Sequence, residues 1–170
     1  MATSSRRRSV YLALLLFCSG PGCGGGSDAS SPARDATSPS PNKAVRTCLE
    51  SAKAKRERRR DEPQTISVKH VLVRFTGAKN APKSLKRSRE DACMRALEAR
   101  GALEQGADFD GVIREYSEEG GTSERRGTLP NIQRSDVDRP FADAAFELEV
   151  NQVSAVVETD YGFHVIIRTE

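Results

Sequence analysis

Several residue types are scarce in this sequence, and their scarcity narrows the chemistry it can support. The 170 residues include no tryptophan, two histidines and four cysteines, with no His-x-x-x-His or Cys-x-x-Cys motif. Since a zinc site gathers several such ligands at close spacing, the sequence argues against one. The net charge of +3 is too small to indicate a charged partner. No long apolar run and no internal repeat is present.

The first 23 residues have the pattern of an export signal. A basic head of three arginines precedes the apolar run Val10–Phe17, which is too short to span a bilayer because spanning takes ~20 residues. Small residues and then Cys23 follow. This stretch resembles the lipidation site of bacterial lipoproteins, although Gly20 stands where an aliphatic residue is usual. We therefore expect an exported protein anchored to the membrane at Cys23 and facing the periplasm, with simple cleavage and release as the alternative.

Two segments separate this signal from the folded part of the chain. Residues 24–42 are rich in Gly, Ser, Pro and Asp, which predicts a flexible tether. Residues 43–63 are predicted to form a helical connector with its cations crowded near the end. Such a run can bind nucleic acid or acidic lipid, but an exported chain meets no nucleic acid routinely, and we favour a solvated connector. The cations are Lys53, Lys55, Arg56, Arg58, Arg59 and Arg60.

Residues 64–170 have the composition of one globular domain with a single core. Thr65–Phe75 alternates between apolar and polar residues and predicts a strand. Ser88 and Asp108 are each placed to begin a helix, and a third short helix is predicted over Arg139–Leu148. The second helix has the clearest helical period of the chain, shown by Phe109, Val112, Ile113 and Tyr116. Cys48 and Cys93 would be the thiols left in the mature chain, and nothing in the sequence decides whether they pair.

Both histidines lie in predicted strands. His70 shares a face with Val68 and Leu72, and His164 lies in Phe163–Arg168, which forms a predicted hairpin with residues 153–158. If the first and last strands are neighbours, both imidazoles lie on one side of the sheet. The opposite side would pack against the two longer helices. This order of strands and helices predicts an α+β fold.

Five blocks of sequence resemble the parvulin-type peptidyl-prolyl cis/trans isomerases, in the order in which that family carries them. They are KHVLVRF, DFDGVIREYSE, RGTL, RPFADAAFEL and VSAVVETDYGFHVIIRTE, and the resemblance covers about residues 66–170. It implies a four-stranded antiparallel sheet surrounded by three or four helices, with a proline-binding cleft on one face. It also implies chemistry that needs neither a cofactor nor a metal.

The resemblance assigns catalytic roles to particular residues. His70 and His164 match the paired central histidines, which we expect to hold the floor of the cleft through hydrogen bonds to each other and to Thr159. The polar site residue falls at Glu119, with Ser117 in the same block. Because the loop over residues 118–126 is one residue longer than the family pattern, Glu118 could take the place of Glu119.

The resemblance also assigns substrate contacts. Leu129, Val137 and Phe141 match the apolar residues that hold the proline ring. Pro130 replaces a glycine that is usual in the family, which could alter the rim of the cleft. Lys79 and Lys83 could favour an anionic residue before the proline, as in the phosphate-directed branch of the family, but the adjacent arginines of that branch are absent. We therefore favour ordinary solvated lysines.

The implied function is the isomerisation of X–Pro bonds during the folding of exported or envelope proteins. The expected partners are proline-containing unfolded or extended polypeptides, and the chain is expected to be a monomer. A non-catalytic peptide-binding chaperone on the same fold is the competing hypothesis. The complete set of His70, His164, Leu129 and Phe141 favours the enzyme, whereas Pro130 and the longer loop favour the chaperone. The sequence does not identify the client proteins.

Overall fold

The computed structural model describes residues 41–119, 125 and 127–170, and all of them belong to one compact unit. The signal peptide predicted at 1–23, its lipidation site Cys23 and most of the predicted tether lie outside these residues. So do most residues of the loop that is longer than the family pattern. Within the described ranges, no helix is both long enough and apolar enough to cross a bilayer.

A four-stranded antiparallel sheet forms the centre of the fold, which confirms the predicted architecture. Its spatial order is β2-β1-β4-β3. The first and last strands are neighbours, with His70 opposite Ile166 and Leu72 opposite His164. Residues directly opposite each other point to the same face of a sheet, so both imidazoles lie on one side. The strands are β1 (Ile66–Val73), β2 (Thr128–Ile132), β3 (Val157–Thr159) and β4 (Gly162–Arg168).

The hairpin at the C-terminus is shorter than predicted. β3 begins at Val157, whereas the sequence predicted a strand from Val153, which forms only an isolated bridge with Ile167. The Ser154 hydroxyl accepts the Ile166 amide at 2.9 Å. A side chain therefore takes the place of a strand-to-strand bond and interrupts the ladder.

The edge strand β2 contains a bulge that accommodates Pro130. Ile66 pairs with Ile132 and Val68 pairs with Leu129, so Pro130 and Asn131 together oppose a single residue of β1. A proline has no amide to donate, and an edge strand or a bulge tolerates it for that reason. Pro130 is exposed, and Asn131 has a φ of 50°.

Four α-helices surround the sheet in the described part of the chain, and two of the predicted caps are present. The Ser88 hydroxyl accepts the Asp91 amide at 3.0 Å, and the Asp108 carboxylate accepts the Gly111 amide at 2.9 Å. The third predicted helix ends at Phe146, two residues before the predicted boundary. The helices are α1 (Pro41–Ala52), α2 (Arg89–Glu104), α3 (Phe109–Tyr116) and α4 (Arg139–Phe146).

Apolar packing divides between the two faces of the sheet. α2 and α3 pack on the face formed by Val71, Val73, Phe163 and Val165, which confirms the predicted position of the two longer helices. α4 packs on the histidine side of the sheet, against Val68, Val157 and Ile166. The histidine face is therefore only partly covered, and a concave surface remains beside α4.

The connector predicted as one helix over residues 43–63 is instead a short helix followed by an ion-paired segment. α1 ends at Ala52, and residues 54–59 have no regular secondary structure. Arg56 pairs with Glu147 at 2.7 Å, and Arg59 pairs with Glu149 at 2.8 Å. Like charges four residues apart destabilise a helix, whereas these pairs hold the segment against the domain. The cations expected to be solvated are therefore largely paired.

A disulfide bond joins Cys48 of α1 to Cys93 of α2, which settles the pairing that the sequence left open. Both cysteines are buried in the same apolar cluster as Ala52, Ala92 and Ala96. α1 is consequently part of the hydrophobic core, although it precedes the first strand of the sheet.

Replacing both cysteines should destabilise the domain without changing its fold. The disulfide closes a sequence separation of 45 residues, for which a chain-entropy model gives a stabilisation of about 4 kcal/mol. We expect the Cys48→Ala/Cys93→Ala variant to lose between about 2 and 4 kcal/mol of unfolding free energy in urea titrations. Dithiothreitol should weaken the native chain by a comparable amount and leave the variant unchanged. Equal midpoints for native chain and variant would show that the bond contributes nothing.

Candidate active site

A cleft of about 380 Å³ lies on the histidine face of the sheet. Its floor is formed by His70 of β1 and His164 of β4, whose ring centroids lie 5.6 Å apart. Phe141 of α4 stands edge-on to both imidazoles, with centroid distances of 5.4 Å and 5.2 Å. The cleft is completed by Leu72, Glu119, Leu129, Ser135, Asp136, Val137, Asp138, Thr159 and Tyr161.

The position of Phe141 follows from the start of α4. Pro140 occupies the first turn, where its missing amide costs no hydrogen bond. Phe141 therefore lies in that first turn and is buried in the second apolar cluster, the one on the histidine side of the sheet that includes Val68, Val157 and Ile166. Val137 precedes the helix and follows the short 3₁₀ turn Arg134–Asp136. The helix start thus places two of the three predicted ring contacts on one wall.

His164 is held by the turn between the last two strands. Its Nε2 lies 2.8 Å from the Thr159 hydroxyl, and the same oxygen accepts the Tyr161 amide at 3.1 Å. The ring is fully buried, and this burial, followed by the proximity of His70, lowers the pKa of His164 to about 3. His164 is consequently neutral at physiological pH. The structure therefore contains the Thr159 hydrogen bond that the resemblance implied.

His70 contacts a carboxylate and does not bond to the other histidine. Its Nε2 lies 2.5 Å from Glu119 Oε2. In the described residues, the Nδ1 atoms of His70 and His164 are both buried without a hydrogen-bond partner. The expected bond between the two histidines is therefore absent, because each ring directs its bonded nitrogen toward a different loop.

Glu118 and Glu119 have opposite orientations, which favours Glu119 as the site carboxylate. The Glu118 amide donates to Leu72 O at 2.8 Å. Its carboxylate accepts the Arg74 amide at 2.9 Å and a guanidinium bond from Arg87 at 2.5 Å. Glu118 is therefore fixed beside the end of β1, and this anchor holds the neighbouring Glu119 at the cleft.

Ser117 lies next to the site without lining it. It forms the C-terminal cap of α3, and its hydroxyl accepts the Leu72 amide at 3.2 Å. Its contacts therefore connect α3 to β1. The structure brings His70, His164, Glu119 and Thr159 together in one cleft but leaves Ser117 outside it.

Leu129, Val137 and Phe141 all line the cleft, as the resemblance implied. Leu129 comes from β2 and Val137 from the loop before α4, and both pack against the second apolar cluster. Pro130, which was expected to alter the rim, is exposed and is not among the residues that line the cleft. The bulge in β2 directs it away from the site.

Neither of the predicted loop lysines lines the cleft. Lys79 Nζ lies 4.7 Å from the centroid of the Tyr161 ring. A hydrogen bond to Tyr161, with Asp138 and Asp160 nearby, raises the pKa of Lys79. Lys83 is exposed on the same loop. Lys79 therefore stands beside the rim, next to a residue that does line the cleft.

Three residues near the site were not singled out from the sequence. Arg74 is buried, and its guanidinium donates to the carbonyls of Lys79 and Asn80 at 3.2 Å and 2.6 Å. It therefore fixes the loop that carries Lys79 and Lys83. Tyr161 and Asp138 both line the cleft, although the sequence indicated only a turn and a helix start at these positions. The sequence signal for Asp138 was its position immediately before Arg139 and Pro140, which begin α4.

In the described ranges, no group of three or more His, Cys, Asp or Glu side chains is arranged to hold a metal ion. The paired imidazoles make contacts to Thr159, Glu119 and Phe141 instead. The cleft is therefore an apolar slot with a polar floor, suited to a ring flanked by peptide groups.

Comparison with known sequences gives a consistent result. The family model described as "PPIC-type PPIASE domain" matches residues 53–170. The protein called putative peptidyl-prolyl cis-trans isomerase dodo, from Drosophila melanogaster, is 33% identical over 113 residues, which is 64% of this chain and 68% of that protein. Foldase protein PrsA of Geobacillus kaustophilus is 36% identical over 75 residues, which is 44% of this chain and 27% of PrsA. The chain thus matches about a quarter of that foldase.

Solved structures share the fold. The PPIase domain of TbPar42 is 30% identical, with a TM-score of 0.52, over 62% of this chain and 99% of that chain. Peptidyl-prolyl isomerase Ess1 from Candida albicans superposes with a TM-score of 0.57 over 63% of each chain. At 23% identity, the second likeness concerns the fold alone.

The buried His164 should make stability depend on pH. Its pKa is 6.5 when unfolded and about 3 when folded, so the unfolded chain binds this proton first as pH falls. The contribution to stability is complete above pH 6.5 and is lost progressively toward pH 3, by up to about 1.4 kcal/mol per pH unit. His164→Gln should lack this component. We expect the difference in unfolding free energy between the native chain and His164→Gln to shrink between pH 6.5 and 4. A difference that stays constant over that window would contradict a neutral buried ring.

Proposed function

Because the chain belongs to the PPIC-type peptidyl-prolyl cis/trans isomerase family, also called parvulins, we propose that the cleft beside Phe141 is where it isomerises X–Pro bonds. The chain is a peptidyl-prolyl isomerase by its family, and its substrates are proline-containing polypeptides. The observation that carries the proposed site is the meeting of His70, His164 and Phe141 in one cleft.

The chemistry requires that the enzyme stabilise a twisted amide. Rotation about a peptide bond loses amide resonance, a barrier of ~18–20 kcal/mol, and uncatalysed exchange at X–Pro takes tens to hundreds of seconds. Nothing is transferred, so no nucleophile is needed. Catalysis comes from binding the twisted amide more tightly than either planar form.

The apolar wall holds the proline ring during this rotation. Leu129, Val137 and Phe141 come from three different segments, and Phe141 is buried against the core behind it. Such a wall fixes the ring while the carbonyl on its N-terminal side turns. Because the wall also excludes water, it favours the less polar twisted amide over the planar one.

His164 keeps its part of the floor rigid and uncharged. His164 is neutral because its burial lowers its pKa to about 3, so it presents no charge to the rotating amide. Its bond to Thr159 and its edge contact with Phe141 fix the ring. We assign His70 and His164 to positioning the cleft and not to proton transfer.

Glu119 supplies a carboxylate beside His70 of this floor. It contacts His70, and Glu118 anchors the backbone beside it. A carboxylate close to the moving carbonyl oxygen repels that oxygen in its planar positions, which lowers the relative energy of the twisted form. Ser117 and Lys83 have no role in this scheme, since neither lines the cleft.

The substrates are proposed to be unphosphorylated. Arg74, a buried cation beside the loop that carries Lys79 and Lys83, donates hydrogen bonds from its guanidinium to the carbonyls of Lys79 and Asn80. Lys79 lies against Tyr161 and close to Asp138 and Asp160. A dianionic phosphate on the substrate would be repelled by Asp138 and Asp160, so the loop is poorly suited to hold one.

The site of action is proposed to be outside the cytoplasm. The export pattern at residues 1–23 and the disulfide between Cys48 and Cys93 both favour an oxidising compartment. The similarity to PrsA, which is named a foldase, supports a role in the folding of exported proteins. In this proposal the chain is a monomeric lipoprotein held to the membrane at Cys23.

A non-catalytic chaperone on the same fold remains the second candidate. Two observations favoured it: the longer loop, most of which lies outside the described residues, and Pro130, which is not among the residues that line the cleft. A protease-coupled assay on a short proline peptide separates the two candidates. An isomerisation rate above background supports the enzyme, and peptide binding without such a rate supports the chaperone.

Phe141→Ala should abolish most of the activity and leave the domain folded. The loss of a buried aromatic contact worth roughly 1.5–3 kcal/mol lowers kcat/KM by roughly 10- to 100-fold. Val150→Ala is the matched control, because Val150 is an apolar residue that is 51% exposed outside the cleft. Circular dichroism should show both variants folded. An unchanged rate in Phe141→Ala would mean that the proline ring binds elsewhere.

Acylation at Cys23 has a direct test. The mature chain purified from bacterial membranes should begin at Cys23 and carry a mass increment equal to a diacylglycerol group. Cys23→Ser should release the chain into the soluble fraction. A mature N-terminus at any other residue, with no added lipid, would contradict the anchor and support simple cleavage.

A further inference from the structure

Two further hollows lie beside the cleft, and the proposed isomerase chemistry uses neither of them. A hollow of about 410 Å³ adjoins the cleft and shares Asp138 and Thr159 with it. A further hollow of about 400 Å³ shares Lys53, Arg139 and Pro140 with the second. These two hollows form a continuous side furrow, which runs from the cleft over the first turn of α4.

The outer wall of the side furrow comes from the segment that precedes the sheet. Lys53 and Lys55 follow α1 directly, and α1 is attached to α2 by the disulfide at Cys48. Arg56 fixes the segment further through its bond to Glu147 at 2.7 Å. The segment that forms this wall is therefore fixed to the domain at both of its ends, by the disulfide of α1 and by the bond of Arg56 to Glu147.

Two carboxylates of the furrow, Glu158 and Asp143, are bonded to arginines. Glu158 receives two hydrogen bonds from Arg89, one of them at 2.6 Å. Asp143 receives one from Arg134 at 2.6 Å. Both carboxylates are mostly buried, with side chains 12% and 18% exposed.

The cations of the furrow keep most of their charge available to a ligand. Lys53 lies 3.9 Å from Glu158 and is 63% exposed, and Arg139 lies 3.6 Å from Asp143 and is 86% exposed. Their carboxylate neighbours are already bonded to other arginines. The part of the furrow where the two hollows share Lys53 and Arg139 is consequently cationic, whereas the hollow next to the cleft also carries Asp138 and Asp160.

We propose that a substrate whose proline occupies the cleft continues as an extended chain along the side furrow and places an acidic side chain against Lys53 and Arg139. This inference rests on the proposed function of the cleft. The furrow is continuous with that cleft, and a polypeptide must leave the cleft on some side. The preferred substrates are therefore unfolded segments with Asp or Glu near the proline, on the side that enters the furrow.

The test compares short and long unphosphorylated peptides with the full chain. Isomerisation is followed by NMR exchange on a short proline peptide and on longer peptides that carry glutamate or lysine on either flank of the same Ala-Pro. Two exposed charge contacts should raise kcat/KM for a glutamate peptide by roughly three- to fivefold over the matching lysine peptide. Only one of the two flanks should show this effect, and the other serves as its internal control.

The charge-reversed variant Lys53→Glu/Arg139→Glu should lose or invert that preference. Its rate on the short peptide should be unchanged, because neither residue lines the cleft. The matched control is Lys43→Glu/Arg114→Glu, which alters the net charge equally at two exposed positions outside the furrow. That control should keep the preference for the glutamate peptide.

High salt gives an independent check that needs no variant. At ~1 M salt, where the screening length is ~3 Å, the native chain should treat the glutamate and lysine peptides alike. The inference is overturned if the native chain shows no preference on either flank, or if the charge-reversed variant keeps it. If the native chain fails to isomerise even the short peptide, the proposed function fails, and the furrow proposal fails with it.

Discussion

The antiparallel pairing of β1 with β4 is the constraint on which the rest of the structure depends. It sets His70 and His164 on one face, two residue pairs apart along the ladder. A slip of β1 by one residue against β4 would turn Val71 and Val73 toward the cleft and His70 toward α2 and α3, away from His164. The same hydrophobic burial that holds the helices to one face therefore fixes the polar floor on the other, and no separate interaction is needed to bring the histidines together.

Polar groups inside this floor are costly unless they are partnered, and the partners explain its local geometry. An unsatisfied buried polar atom costs roughly 1–3 kcal/mol, yet both Nδ1 atoms lack a partner in the described residues. The Nε2 atoms are bonded to Thr159 and Glu119. Glu118 and Glu119 divide two tasks because neighbouring side chains in an extended segment point to opposite sides. One fixes the backbone to β1 through Arg74 and Arg87, and the other reaches His70.

Local patterns in the sequence predicted the parts of the fold that local forces determine. Alternation identified β1 and β4, and the caps at Ser88 and Asp108 identified the starts of α2 and α3. The bulged strand β2 and the end of α1 at Ala52 depend on partners distant in the sequence, such as Ser67 and Glu147, so no local pattern specifies them. For the same reason the sequence could not choose between Glu118 and Glu119, or decide that Cys48 pairs with Cys93. The resemblance indicated several residues that line the cleft, but it also included Ser117, Lys79 and Lys83, which do not line it, and it did not indicate the contact of His70 with Glu119.

The segment before β1 contributes to the hydrophobic core from outside the region that matches the family. Its family match begins at residue 53, whereas α1 lies before that point and still contributes Cys48 and Ala52 to the core. The disulfide, a bond that oxidising environments favour, attaches α1 to α2 and so fixes the end of the helix that Lys53 directly follows. Ion pairs of Arg56 with Glu147 and of Arg59 with Glu149 then hold the segment against the C-terminal end of α4, the helix that carries Phe141. The outer wall of the furrow and the ring-binding wall of the cleft are thus attached to the same helix, so one packing arrangement sets the shape of both.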